Sequence, residues 1–142
     1  MKAIKVIAGK TRKFFVMAGV MMLVSNGVKA QKPAGPPGLA PASAIAVRNP
    51  VAVNPTSIKD GKEIYIKNCK SCHGDAGKGD GTKAGNLDIS CGDFGTAAFA
   101  AKKDGELYWK ITEGRKPMPT FAKKLSDNER WAVVNYMRTF KR

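Results

Sequence analysis

Cys69, Cys72 and His73, in the run Cys69-Lys70-Ser71-Cys72-His73, form a C-x-x-C-H spacing, the short signature of covalent c-type haem attachment. Residues three apart share a helix face. Both thiols can therefore reach the two vinyl groups of one porphyrin while the adjacent His73 turns its imidazole toward the iron. Three other chemistries use the same residue types. A dithiol redox pair needs a βαβ context that the chain does not show. A Cys₃His zinc site would recruit Cys91, but it makes tetrahedral neighbours of the adjacent Cys72 and His73 and lacks the usual paired spacing in its second half. A Cys69–Cys72 disulfide closes a very short, strained loop. The surrounding sequence favours haem.

His73 is the only histidine in the chain, so a bis-histidine iron within one molecule is excluded. Downstream of residue 30 there are two methionines, Met118 and Met137. Met137 falls inside the last predicted helix and reads as a core residue. Met118 lies in Arg115-Lys116-Pro117-Met118-Pro119. Proline fixes φ and removes backbone donors, so a Pro-flanked loop is stiff before anything binds it. Met118 is the expected second axial ligand.

The elements that must position these groups read as helices. Ser57, with Asp60 three residues on, resembles a capping box. It opens a helix that points Gly61, Ile64 and Tyr65 inward and runs into the cysteine motif. Asp104 is the expected cap of a second helix carrying Leu107, Tyr108 and Ile111 and ended by Gly114. Ser126 and Glu129 give a further capping box, ahead of a helix whose Trp131, Ala132, Val134, Tyr136 and Met137 fall on overlapping faces. Gly74–Phe94 is rich in Gly and Asp and reads as loop.

Residues 1–30 are expected to be a secretory signal peptide. Lys2, Lys5, Lys10, Arg12 and Lys13 precede the apolar run Phe14–Val24, and a small-residue cleavage pattern follows at Val28-Lys29-Ala30. Eleven apolar residues fall short of the roughly 20 that span a bilayer. Cleavage near Ala30 would leave an exported, periplasmic protein beginning at Gln31. Residues 31–57 hold six of the eight prolines without periodicity and read as a Pro-rich linker. Residues 58–142 make one domain of 85 residues, short enough to need a staple, which a covalent haem provides. The precursor carries 25 basic and 11 acidic residues, +14 overall. Six of the basic residues and none of the acids lie in 1–30, leaving 19 against 11, about +8. An exported protein with no aromatic–basic stacking module points away from nucleic acid and toward acidic redox partners.

Residues 58–142 resemble a monohaem class I c-type cytochrome of the bacterial diheme-oxidase-subunit and small-soluble-carrier sort. The resemblance rests on Gly61 and Tyr65, Cys69–His73, Gly77-Lys78-Gly79-Asp80-Gly81, Asp104-Gly105-Glu106-Leu107, Lys116-Pro117-Met118-Pro119 and Trp131–Tyr136. It implies an all-α globule of three to five short helices around one haem c, the first and last helices crossing. It further implies thioether attachment through Cys69 and Cys72, with His73 and Met118 on the iron. Two departures stand out. Many relatives offer a proline carbonyl to the proximal imidazole N–H, but no proline lies between His73 and Pro117, so another carbonyl must serve. Cys91 is a third thiol, read as a small buried hydrophobe outside the site.

Two protein ligands saturate the iron and disfavour oxygen or peroxide chemistry, so the sequence indicates an electron carrier with no small-molecule substrate rather than an enzyme. Lys67, Lys70, Lys78, Lys83, Arg115, Lys116, Lys123 and Lys124 flank the haem-bearing segments and are candidates to steer acidic partners. The alternative is an electron-entry subunit permanently attached to a larger oxidase or dehydrogenase complex, peripheral to a membrane respiratory assembly. A haem enzyme or gas sensor would need an open sixth position.

Overall fold

Asn54, rather than Ser57, starts the first long helix. In the computed structural model, which describes residues 38–141, the Asn54 side chain accepts from Ser57 N at 2.8 Å and Ser57 Oγ accepts from Asn54 N at 3.2 Å. Pro55 takes the first helical position, where its missing N–H leaves no bond unmade. The Ser57–Asp60 spacing imitates a capping box, but the Asn-Pro pair just upstream supplies a better start. The expected signal peptide, 1–30, lies outside the described residues.

Among the described residues there are six α-helices: α1 Ala42–Ile45, α2 Pro55–Asn68, α3 Lys70–His73, α4 Ala97–Ala100, α5 Asp104–Glu113 and α6 Asp127–Met137. Short 3₁₀ turns follow at Ala84–Asn86 and Arg138–Phe140. No strand forms among these residues, only an isolated bridge between Arg115 and Met118. Three of the helices are single turns of four residues, and α2, α5 and α6 are the long ones. The all-α expectation holds, with α1 as an addition. No helix among the described residues is long and apolar enough to cross a membrane.

The Ser126–Glu129 capping box forms as expected at α6, and Gly114, at φ 65°, ends α5. Asp104 differs from expectation. Lys103 occupies the cap without a side-chain bond, and Asp104 is the first helical residue. Its carboxylate accepts from Arg138 Nε at 2.8 Å and Nη2 at 2.6 Å, tying the start of α5 to the end of α6.

Helix α6 is the centre of the core. Trp131, Ala132, Val133, Val134 and Met137 are all buried, together with Arg130 and Asn135. A helix buried on nearly every side loses the one-faced periodicity of a surface helix, which is why its inward positions overlap in the sequence. Against it lie Tyr65 of α2, Leu107 and Ile111 of α5, and Phe99, Phe121 and Leu125. Helices α2 and α6 meet at Gly61, where a Cβ would overlap the Ala132 carbonyl oxygen and come within 3.0 Å of Tyr136 Cβ.

The expected linker is also different in its described part. Residues 38–54 lie against the helices: α1 packs on α5, and Asn49 Nδ2 donates to Asn135 Oδ1 at 2.7 Å. Asn135 Nδ2 in turn reaches the Val51 carbonyl and Ser57 Oγ, each at 3.2 Å. Proline and alanine composition suits an extended path, and these polar anchors fix that path to the domain.

Gly61→Ala is expected to lower unfolding stability by about 1–3 kcal/mol through overpacking. Gly85→Ala, where a Cβ meets nothing within 4 Å, should change stability by less than about 0.5 kcal/mol. Urea unfolding of both variants, followed by far-ultraviolet circular dichroism, checks the contrast.

Candidate functional site

The cysteine motif begins where α2 stops. Cys69 caps the end of α2 and the start of α3, so the single turn Lys70–His73 carries Cys72 and His73. The glycine-rich loop then folds back over that turn. Gly79 N donates to the His73 carbonyl at 2.9 Å, Gly81 N to Cys72 at 3.2 Å and Lys83 N to Ser71 at 2.7 Å. These bonds satisfy carbonyls that the end of a helix leaves free. Gly81 has no room for a side chain, since a Cβ would sit 2.5 Å from the carbonyl oxygens of Lys70 and Ser71. The loop thus has a structural reason for its glycines: it clamps the motif from outside. Tyr65 adds a clamp from inside, its hydroxyl donating to the Gly74 carbonyl at 2.8 Å.

Two cavities of about 420 and 250 Å³ adjoin the motif. Both are bordered by Cys69, His73, Cys91, Met118 and Phe121. Cys72 borders only the smaller and Met137 only the larger. The structure therefore gathers all four sequence-predicted residues, Cys69, Cys72, His73 and Met118, around one region. It also brings in Cys91, which the sequence leaves outside the site. Cys91 is half-buried, as are Cys69 and Cys72.

His73 lies with its ring 4.7 Å from that of Phe94, and Phe94 stacks in turn on Phe99 at 4.7 Å. Burial pulls the imidazole below its ordinary value, and the Cys91 backbone carbonyl partly offsets this. That carbonyl faces the ring where relatives use a proline. Nδ1 itself is buried and forms no hydrogen bond of regular geometry. A neutral, buried imidazole is the form that ligates a metal. Burial, with Cys72 second, pushes the Cys69 thiol up to about 12, against a smaller opposing pull from Lys124. Both sulfur and imidazole thus face the cavities uncharged at neutral pH. Among the described residues no group of three or more His, Cys, Asp or Glu is gathered to hold a metal by itself. A neutral histidine, two thiols and a thioether around apolar space fit an iron porphyrin.

Met118 sits on a turn closed by two backbone bonds, Arg115 N to the Met118 carbonyl at 2.9 Å and Met118 N to the Arg115 carbonyl at 2.6 Å. The turn is held to the end of α5 by Phe121 N on the Ile111 carbonyl at 3.2 Å and Thr120 Oγ1 on the Thr112 carbonyl at 2.6 Å.

The chain matches the family model described as cytochrome c oxidase, cbb3-type, subunit III, over residues 56–137. The chain belongs to that family. Its fold is that of a monohaem class I c-type cytochrome, a family built around haem iron. Two solved structures are similar to this cytochrome. One is the Kuenenia stuttgartiensis reducing HAO-like protein complex Kustc0457/Kustc0458, at 33% identity and TM-score 0.61 over 69% of this chain. This chain spans about half of that one, 49%. The other is the KustC0563 c-type cytochrome, at 32% identity and TM-score 0.53, with 58% of this chain covering 99% of that one. No curated protein matches the chain.

One positioning residue of this cytochrome escapes sequence reasoning. Arg130, 5% exposed, donates from Nη1 to the carbonyls of Leu125 at 2.8 Å and Ala122 at 3.0 Å, and from Nη2 to the Tyr108 hydroxyl at 2.8 Å. Asp127 completes its partners. It fastens the segment after Met118 to α6. No motif announces it; a single arginine in an apolar helix is the only trace.

Arg130→Met removes the donor from several buried carbonyls and is expected to cost about 2–4 kcal/mol of stability. Chemical denaturation of the haem-loaded protein checks it, and Lys123→Met, at an exposed position nearby, should have little effect.

Proposed function

We propose that this cytochrome is an exported one-electron carrier whose Cys69 and Cys72 hold one haem c through thioether bonds, with His73 and Met118 as the axial ligands. The observation that carries the reading is that His73, Cys69 and Met118 border the same two cavities, and His73 is the chain's single histidine. When bound, the haem supplies reversible exchange of one electron between ferric and ferrous iron. The chain supplies the rest. His73 is kept neutral by burial. Met118 is presented on a turn locked by its own backbone and by α5. Phe94, Phe99 and Phe121 line the larger cavity with rings that exclude water.

Met137 is the competing thioether, because it borders the larger cavity. It is 7% exposed and packed in the core on α6, so its sulfur is committed to packing. Met118 is half-buried on an otherwise exposed turn, where a ligand bond would secure it.

Export follows from the signal peptide read in residues 1–30, with cleavage near Ala30 and a periplasmic destination. The basic surface suits acidic redox partners. Lys124 lies within electrostatic reach of Cys69, and Arg115 and Lys116 adjoin Met118. Lys70 is the exception, being paired with Asp75 at 2.7 Å.

A second reading, a haem-bearing subunit held permanently in a larger redox assembly, draws on the similarity to the HAO-like protein complex. Purification from the native membrane and soluble fractions separates the two: a free carrier elutes alone, a subunit with its partner.

The oxidised protein is expected to show the far-red sulfur-to-iron absorption band. Met118→Ala should abolish it and lower the reduction potential, while Met137→Ala should keep it. The reverse pattern would assign the ligand to Met137.

A further inference from the structure

Residues 38–54 precede the 56–137 stretch matched by the family model, yet they touch three parts of the domain. At one end Gly38 lies beside Arg115, where a Cβ would come 2.7 Å from Nη1, and it borders the smaller cavity with Trp109, Pro117 and Met118. In the middle, α1 rests on the first turn of α5. A Cβ on Gly105 would overlap the Ala44 carbonyl oxygen and approach that of Val47 to 2.6 Å. At the other end Asn49 bonds Asn135, which is 1% exposed on α6. The segment thus runs from the methionine turn, along α5, to the middle of α6.

Helix α5 is the platform of that turn. Its carbonyls at Ile111 and Thr112 hold Phe121 and Thr120, just past Met118. A segment touching α5 at its start, and Arg115 just beyond its end, restrains both ends of the platform. The contacts are backbone against glycine and amide against amide. Such contacts tolerate little sliding, because a close backbone approach has no flexible side chain to take up the movement.

We propose that residues 38–54 are a strap that holds α5 and the Arg115–Met118 turn in place and so keeps Met118 at its cavity. The consequence for the iron rests on the assignment of Met118 as ligand; the bracing itself does not. Local opening of a protein is governed by the contacts that each segment must break. Loosening the strap therefore raises the opening of the methionine turn and leaves the cysteine motif, clamped by its own loop, unchanged.

Gly105→Ala tests this in the full-length haem-loaded protein. Alanine favours a helix more than glycine does, so α5 itself is not weakened and the new methyl collides with the strap. Asn49→Ala releases the other anchor without touching α5. Amide hydrogen exchange is followed at Val47 in the strap, at Arg115, Met118 and Phe121 around the turn, and at His73 as control. The strap and turn amides are expected to exchange about tenfold faster together in each variant, with His73 unchanged.

Faster exchange in the strap alone would overturn the proposal, as would no change in either group. A wild-type protein without the far-red band would remove Met118 as ligand, and the exchange data would still decide whether the strap braces the turn.

Discussion

The backbone contact between Gly61 of α2 and Ala132 of α6 is the constraint on which the site depends. Helix α2 delivers the cysteine motif at its end, so its placement fixes Cys69, Cys72 and His73. Helix α6 fixes the other side. Arg130 holds the chain just after Met118, and Asn135 anchors the segment that runs along α5 to Arg115. The two halves of the site come from positions 45 residues apart, His73 and Met118, and α6 is the element to which both refer. A side chain at residue 61 would separate them.

Burial and charge neutrality set what this geometry can do. The larger cavity is lined mainly by apolar side chains, and burial holds His73 uncharged beside it. A low-dielectric pocket with fixed ligands changes little when one electron arrives, because few dipoles are free to turn. The polar groups near the site are mostly backbone atoms engaged in the clamps on the motif and on the methionine turn. This rigidity favours repeated one-electron exchange over chemistry that requires a ligand to leave.

Much of this was legible in the sequence, for physical reasons. C-x-x-C-H needs its spacing, and Pro-Met-Pro needs its prolines. The Ser126–Glu129 box is a local device that forms wherever it occurs at a helix start. What escaped was mostly non-local. Ser57 and Asp60 have the spacing of a cap, but Asn54 wins because Pro55 favours the first helical position. Asp104 binds Arg138, 34 residues away, and is not a cap. The segment 38–54 reads as linker because its anchors are carbonyl oxygens on Gly105 and an asparagine pair 86 residues apart, neither of which leaves a periodic pattern. Cys91 reads as outside the site because only the folded loop brings its carbonyl to His73. Arg130 acts through backbone carbonyls, which no residue type advertises.

The central claim is that the chain itself fills both axial positions of its iron, leaving no place for an external ligand. Mixing the reduced, haem-loaded protein with carbon monoxide tests this most directly. The account predicts an absorption spectrum unchanged on mixing, with the reduced bands intact. Immediate formation of a carbon monoxide complex would contradict it and make the site one for binding rather than for electron transfer.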